Sequence, residues 1–124
     1  MDLLLDTHAV IWWLTDDPKL SVRQRSAIQD KRNTCFVSSA TVWEISIKAA
    51  IGKLAIEAHY MKQLRSEGFI ELPITWDHAR AVQELPLHHR DPFDRLLVVQ
   101  AALEGMSLVS SDENVAKYDV RVVS

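Results

Sequence analysis

The sequence predicts an α/β domain with a mainly parallel central sheet of about five short strands flanked by helices. Three observations predict it. Short apolar runs alternate with helix-like segments along the whole chain, the order that parallel βαβ units require. Two of those runs, "DLLLD" at 2–6 and "MSLVSSD" at 106–112, close on an aspartate, where the carboxyl end of a strand opens onto a crevice. Glycine and proline number only 3 and 4, and no repeat or low-complexity run breaks the pattern, so residues 1–124 read as a single domain.

Each element has a local reason. "DLLLD" is a continuous apolar run, which suits a strand buried on both faces. "THAVIWWL" then runs as a helix and stops near "TDDP". "SVRQRSAIQD" opens with a capping box, Ser21 followed by Gln24, and reads as a second helix. "TCFVSS" is the next strand, followed by a helix over "ATVWEISIKAAIG" with Ser39 before it and Gly52 as its terminator. A helix around 57–67 closes at Gly68, and a short strand "FIELP" ends at Pro73. Thr75 caps a helix over "TWDHARAVQEL", and the "PLHHR" connection leads to a helix that begins near Asp91 and closes around Gly105. "MSLVSSD" is a strand, "ENVAKY" a short helix and "VRVV" a last strand.

Composition narrows the class. Hydrophobic residues make up 48% of the chain, enough for a real core. No apolar run approaches the ~20 residues that cross a membrane, and the acidic N-terminal stretch has no basic head of a secretory signal, so a cytoplasmic protein is expected. Cys35, the only cysteine, lies in an apolar run and reads as a buried, inert thiol. Trp43 and Trp76 read as core residues, while Trp12 and Trp13 are adjacent on one helix, so one is expected inside and the other at a dimer or partner surface. A formal charge of −3 gives no global basic footprint for nucleic acid. Carboxylates gathered around a metal ion would themselves contribute such negative charge.

Four acids carry the functional argument. Asp6 follows the first strand and also suits an N-cap. Glu44 sits on a helix among Trp43, Ile45 and Ile47, where a carboxylate is costly unless partnered; Lys48, four residues on, is one available partner. In "DPFD", Asp91 is the better N-cap, with Pro92 at the first helical position, and Asp94 stands on the first turn, where the helix dipole favours its ionised form. Asp112 closes the fourth strand and also suits a cap for the turn behind it. Carboxylates brought together repel one another unless a cation neutralises them. Oxygen-only donors fit a hard ion such as Mg²⁺ or Mn²⁺.

In this order, "LLLDTHAVIWWL", "SSATVWEISIKAAIGKL", "DPFDRLLVVQA" and "LVSSDENVAKY" resemble the successive signature segments of PIN-domain ribonucleases, specifically VapC-type toxins of toxin–antitoxin pairs. The resemblance runs from about residue 2 to 122. It implies that Asp6, Glu44, Asp94 and Asp112 are the catalytic, metal-binding acids, with Thr7 and Ser110 as hydroxyl positions near the metal. It further implies Mg²⁺- or Mn²⁺-dependent hydrolysis of RNA phosphodiester bonds, a small antitoxin as partner, and a homodimer. "DPFD" supplies two acids where many relatives have one.

Other candidates carry weaker signals. His8, His88 and His89 lack a spacing such as HExxH, which favours solvent or supporting roles over direct metal ligation. Arg90 and Arg95 flank the acids as candidate phosphate contacts, although surface charges need no function. Among rival readings, a haloacid-dehalogenase-like phosphate-transfer protein needs an acid two residues after the first aspartate, where this chain has His8. A receiver-like domain needs an acceptor aspartate after a central strand, which "TCFVSS" and "FIELP" do not supply. A catalytically silent binding module of PIN fold is the third alternative, and the intact acidic set argues against it.

Overall fold

The computed structural model describes residues 1–124. Five strands, β1 (Asp2–Leu5), β2 (Thr34–Ser38), β3 (Ile70–Leu72), β4 (Ser107–Val109) and β5 (Val122–Val123), form one parallel sheet in the order β3-β2-β1-β4-β5. The expected fold class is the observed one. Six α-helices cover the sheet: α1 (Thr7–Leu14), α2 (Val22–Gln29), α3 (Ser39–Ala50), α4 (Tyr60–Ser66), α5 (Trp76–Ala81) and α6 (Pro92–Glu104). No helix is long and apolar enough to cross a membrane.

Strand β1 lies at the centre because its side chains are apolar on both faces. Leu3 and Leu5 point into one core with Val10, Val37, Ile45 and Val109, while Leu4 points into the other with Leu97, Val98, Ala101 and Leu108. All three leucines are fully buried. Cys35 is buried in the first core, and burial pushes its thiol up to about 11, so it stays protonated and inert at neutral pH.

Helix ends follow the chemistry of the sequence. Ser21 and Gln24 form the expected capping box at α2, and Thr75 pairs with His78 in the same way at α5. The cap of α3 is Ser38, one residue earlier than expected, because its hydroxyl accepts from the Ala40 N–H at 3.0 Å. Helix α6 closes at Gly105, whose φ of 67° is the left-handed conformation that lets Met106 N–H return to the Ala101 carbonyl. Three expected helices are shorter than read. The segment before α4 turns instead, with Glu57 accepting from the His59 and Tyr60 N–H groups. Beyond Ala81 the chain tightens into a 3-10 turn over Val82–Glu84, where Arg95 takes the carbonyls of Val82 and Leu85. "ENVAKY" keeps a single 3-10 turn, Val115–Lys117.

The tryptophans correct the sequence reading. Trp43 is 59% exposed and Trp76 is 95% exposed, so neither is a core residue. Trp43 is edge-on to Phe93 at 5.2 Å, and Trp76 is the first residue of α5. Trp12 and Trp13 do not divide into one inside and one outside. Both are half-buried against the first core. Trp12 stacks on His8, and Trp13 sits edge-on to Phe69 while its indole N–H donates to Glu67 Oε2 at 2.7 Å.

Asp91 is the N-cap of α6, its Oδ1 accepting from both Phe93 N–H at 2.8 Å and Asp94 N–H at 3.1 Å. Asp91→Ala is expected to cost about 1 kcal/mol, the ordinary value of a lost cap, whereas Asp91→Asn keeps an accepting oxygen and most of the stability. Thermal melts of the two variants check this; equal losses would mean that charge, not capping, is what Asp91 supplies to the fold.

Candidate metal centre

The winding of the sheet reverses between β1 and β4, and a crevice forms outside the carboxyl ends of strands at such a reversal. Asp6 stands there directly after β1. Its backbone N–H donates to the Val109 carbonyl at 3.0 Å, and its Oδ1 accepts from Ala9 N–H at 2.8 Å. Asp6 is therefore both the cap of α1 and a carboxylate at the crevice. It is 4% exposed. Burial raises its affinity for a proton, against hydrogen bonds from the Ser110 hydroxyl and Ala9 N–H, and the nearby Asp112 charge acts in the same sense as burial.

Asp94 reaches the crevice from the first turn of α6. Its carboxyl is pushed up to about 7, first by burial, then by the negative charges of Asp91 and Asp6, with His89 opposing and Asp112 adding a little. Asp112 comes from the loop after β4. Its N–H donates to Ser110 Oγ at 3.1 Å, and its Oδ1 accepts from Asn114 N–H at 2.8 Å, so the capping role read for it is a tight local turn.

Between these two acids lies His89. Its Nε2 is 2.9 Å from Asp94 Oδ2 and 2.9 Å from Asp112 Oδ2, and the three potential ligand atoms all lie within 4.8 Å of one another. His89 has no distinctive spacing in the chain, and the signal that marks it is its place two residues ahead of the cap in "HHRDPFD". Its neighbour His88 packs edge-on to Tyr118 at 4.9 Å, outside the acids, and His8 stacks on Trp12.

Glu44 is held differently. It is 6% exposed, its Oε1 accepts from Thr7 Oγ1 at 2.7 Å, and its Oε2 pairs with Lys48 Nζ at 2.6 Å. The partner read from the i,i+4 spacing is the one observed. Thr7 follows Asp6 in the chain, so Glu44 joins the acids through that hydroxyl and is not within the close triad of His89, Asp94 and Asp112. Lys48 binds its proton more tightly than usual, first through its bond to Glu44, with the charges of Asp91 and Asp94 adding in the same sense.

Arg95 does not face a substrate. Its guanidinium donates to the carbonyls of Val82, Leu85, Pro86 and His89 and to the Tyr118 hydroxyl, at 3.0 to 3.3 Å, and is used up in holding the 82–89 loop. Arg90, in contrast, is exposed beside the acids.

The donor set suits a hard cation. Asp6, Asp94 and Asp112 offer only oxygens, and two of them bind protons more tightly than usual, first because they are buried and then because other carboxylates lie near.

Solved structures share this architecture. VapBC2 from Rickettsia felis, bound to a DNA fragment from its promoter, contains a chain similar to this one at a TM-score of 0.72 and 14% identity, over 98% of this chain and 97% of that one. VapBC-1 from nontypeable Haemophilus influenzae gives 0.64 and 18% over 98% and 96%. FitAcB from Neisseria gonorrhoeae gives 0.62 and 16%, again over 98% and 96%. No curated protein is significantly similar in sequence. The PIN domain family model matches residues 3–121, and this chain belongs to the PIN-domain family.

Proposed function

We propose that this PIN domain is a Mg²⁺- or Mn²⁺-dependent endoribonuclease, the cytoplasmic toxin of a toxin–antitoxin pair. The observation that carries the reading is the gathering of acids at the winding reversal of the sheet: Asp94 and Asp112 meet at His89, and Asp6, buried at the end of β1, is coupled by charge to both. These three acids, with Glu44 on the Thr7 side, would hold the ion. When bound, such an ion offsets charge on the phosphoryl oxygens and makes water a better nucleophile at neutral pH.

The chain's own residues prepare that site. Ser110 ties Asp6 to the Asp112 loop, its hydroxyl serving both. Thr7 and Lys48 fix the two oxygens of Glu44. Exposed Arg90 stands where a phosphate of the RNA backbone can meet it. With water as the attacking group, the products carry a 5′-phosphate and a 3′-hydroxyl. A phospho-transfer reading finds less support, since His8 occupies the position where a second acid would be needed and stacks on Trp12 instead. A silent binding module would have no reason to keep the acids so close.

The partner reading follows from the similar structures, which are VapBC and FitAB complexes. A small antitoxin covering the acidic crevice is the proposed partner, together with a homodimer, and the exposed rings of Trp43 and Trp76 are the apolar area available to such interfaces.

Digestion of total RNA with and without Mg²⁺, followed by end mapping, tests the activity. Cleavage is expected only with the divalent ion, and Asp6→Asn or Asp94→Asn is expected to reduce it roughly 100-fold or more while the protein stays folded, because the ion's contribution is several kcal/mol. Near wild-type cleavage by a folded Asp6→Asn protein would overturn the site.

Ion binding has its own readout. A ligand that binds only the folded state adds RT ln(1 + [L]/Kd), about 2.7 kcal/mol at a hundredfold excess. Mg²⁺ or Mn²⁺ should therefore raise the melting temperature saturably by several degrees, beyond what matched NaCl does. The Asp6→Asn, Asp94→Asn double variant should lose most of that shift and, without divalent ions, be at least as stable as wild type. Equal shifts in the two proteins would mean that these acids form no common site.

For the toxin role, expression of this chain alone should slow growth, and co-expression of its neighbouring small gene should relieve the effect. Harmless expression of an active nuclease would remove the toxin role and leave the nuclease standing.

A further inference from the structure

His89 is the one imidazole among the acids, and its surroundings determine which of its nitrogens carries the proton. The Asp91 backbone N–H points at His89 Nδ1 across 3.3 Å, so Nδ1 acts as acceptor. That N–H cannot readily turn away. Asp91 is the cap of α6, bonded to the first turn through its side chain and followed by Pro92. The backbone that carries the ring is held as well, since the His89 N–H donates to the Tyr118 hydroxyl at 2.9 Å and the His89 carbonyl accepts from Arg95 at 3.3 Å. With Nδ1 committed as acceptor, a neutral ring keeps its proton on Nε2. Nε2 is the atom that lies 2.9 Å from both Asp94 Oδ2 and Asp112 Oδ2.

A nitrogen that bears a proton has no lone pair to give a metal. We propose that His89 is a proton-bearing positioning residue, which ties Asp94 to Asp112 by donating to Asp112 Oδ2 while the same nitrogen stands 2.9 Å from Asp94 Oδ2, and is not itself a ligand of the ion. The inference rests on the metal-centre reading of the preceding section. It assigns work to the whole "HHRDPFD" segment. Arg95 and Tyr118 hold the backbone of the loop, Asp91 N–H selects the tautomer, and the Nε2 proton holds Asp112 Oδ2 beside Asp94 Oδ2, two acids from different elements.

Long-range ¹H–¹⁵N correlation spectra of histidine-labelled protein read the tautomer directly, without activity. Before addition of Mg²⁺, His89 is expected to show a protonated Nε2 and a bare Nδ1, and saturation with Mg²⁺ is expected to leave that pattern unchanged. A proton on Nδ1, or loss of the Nε2 proton as Mg²⁺ binds, would overturn the proposal and make His89 a ligand. Variants supply the second readout. His89→Ala should weaken Mg²⁺ binding about 10- to 100-fold, as loss of a partner behind a metal ligand does, measured as the Mg²⁺ midpoint of the melting shift. His89→Gln, whose amide N–H reaches a similar point, should recover most of it. Equal Mg²⁺ midpoints for wild type and His89→Ala would overturn the positioning role. The expected tautomer in a protein with no Mg²⁺ response at all would keep the hydrogen-bonded tie between the acids and overturn the metal reading instead.

Discussion

The backbone hydrogen bond from Asp6 to the Val109 carbonyl is the join on which fold and site both depend. It continues the β1–β4 pairing one residue past the strand, at the line where the sheet reverses its winding. Because Asp6 is also the cap of α1, its backbone is fixed from two sides: by β4 through its own N–H, and by the helix through its side chain and carbonyl. A carboxylate fixed in that way cannot retreat into solvent. The charge cost of burial is therefore built into the geometry, and it appears as the raised proton affinity of Asp6 and Asp94.

A second fixed point lies on the other side of the crevice. Arg95 gathers four carbonyls and the Tyr118 hydroxyl, which turns a loop of otherwise weak local preference into a rigid arm carrying His89. The guanidinium fork is suited to this because its N–H groups spread in a plane and keep their charge at any physiological pH. The same contacts lie where α5 gives way. The Val82 carbonyl accepts both from Leu85 N–H, closing a 3-10 turn, and from Arg95, and Pro86 beyond has no N–H with which to continue a helix.

Much of this was legible in the residues. Continuous apolar runs closing on aspartates indicated a parallel sheet with acids at its carboxyl edge, and Ser21, Thr75, Asp91 and Gly105 marked helix ends by chemistry that acts within a few residues. Capping and site roles were weighed as alternatives in the sequence, but the structure combines them: Asp6 caps and faces the crevice, while in "DPFD" the two acids divide the work. What was not legible depends on contacts between distant segments. Nothing near Arg95 in the chain shows that its partners are Val82, Leu85 and Tyr118, so it read as a surface charge. Trp43 and Trp76 read as core on residue type alone, yet their places on the helix surface leave them exposed. His89 lacked a motif because its meaning comes from Asp112, 23 residues away.

The division of labour within "DPFD" has a physical basis that extends beyond this segment. An N-cap carboxylate must turn back to meet the N–H groups of the first turn, which commits one of its oxygens to the backbone. An acid three residues later sits on the helix itself, still near the positive end of the dipole, but with its side chain projecting outward. One position stabilises the helix, and the other is stabilised by it. Asp91 and Asp94 occupy these two positions, and the Asp91 charge at the same time adds to the forces that raise the proton affinity of Asp94. The cap that starts α6 therefore also strengthens the demand of the crevice for a counter-charge, which Lys48 and His89 answer in part with N–H groups of the chain itself.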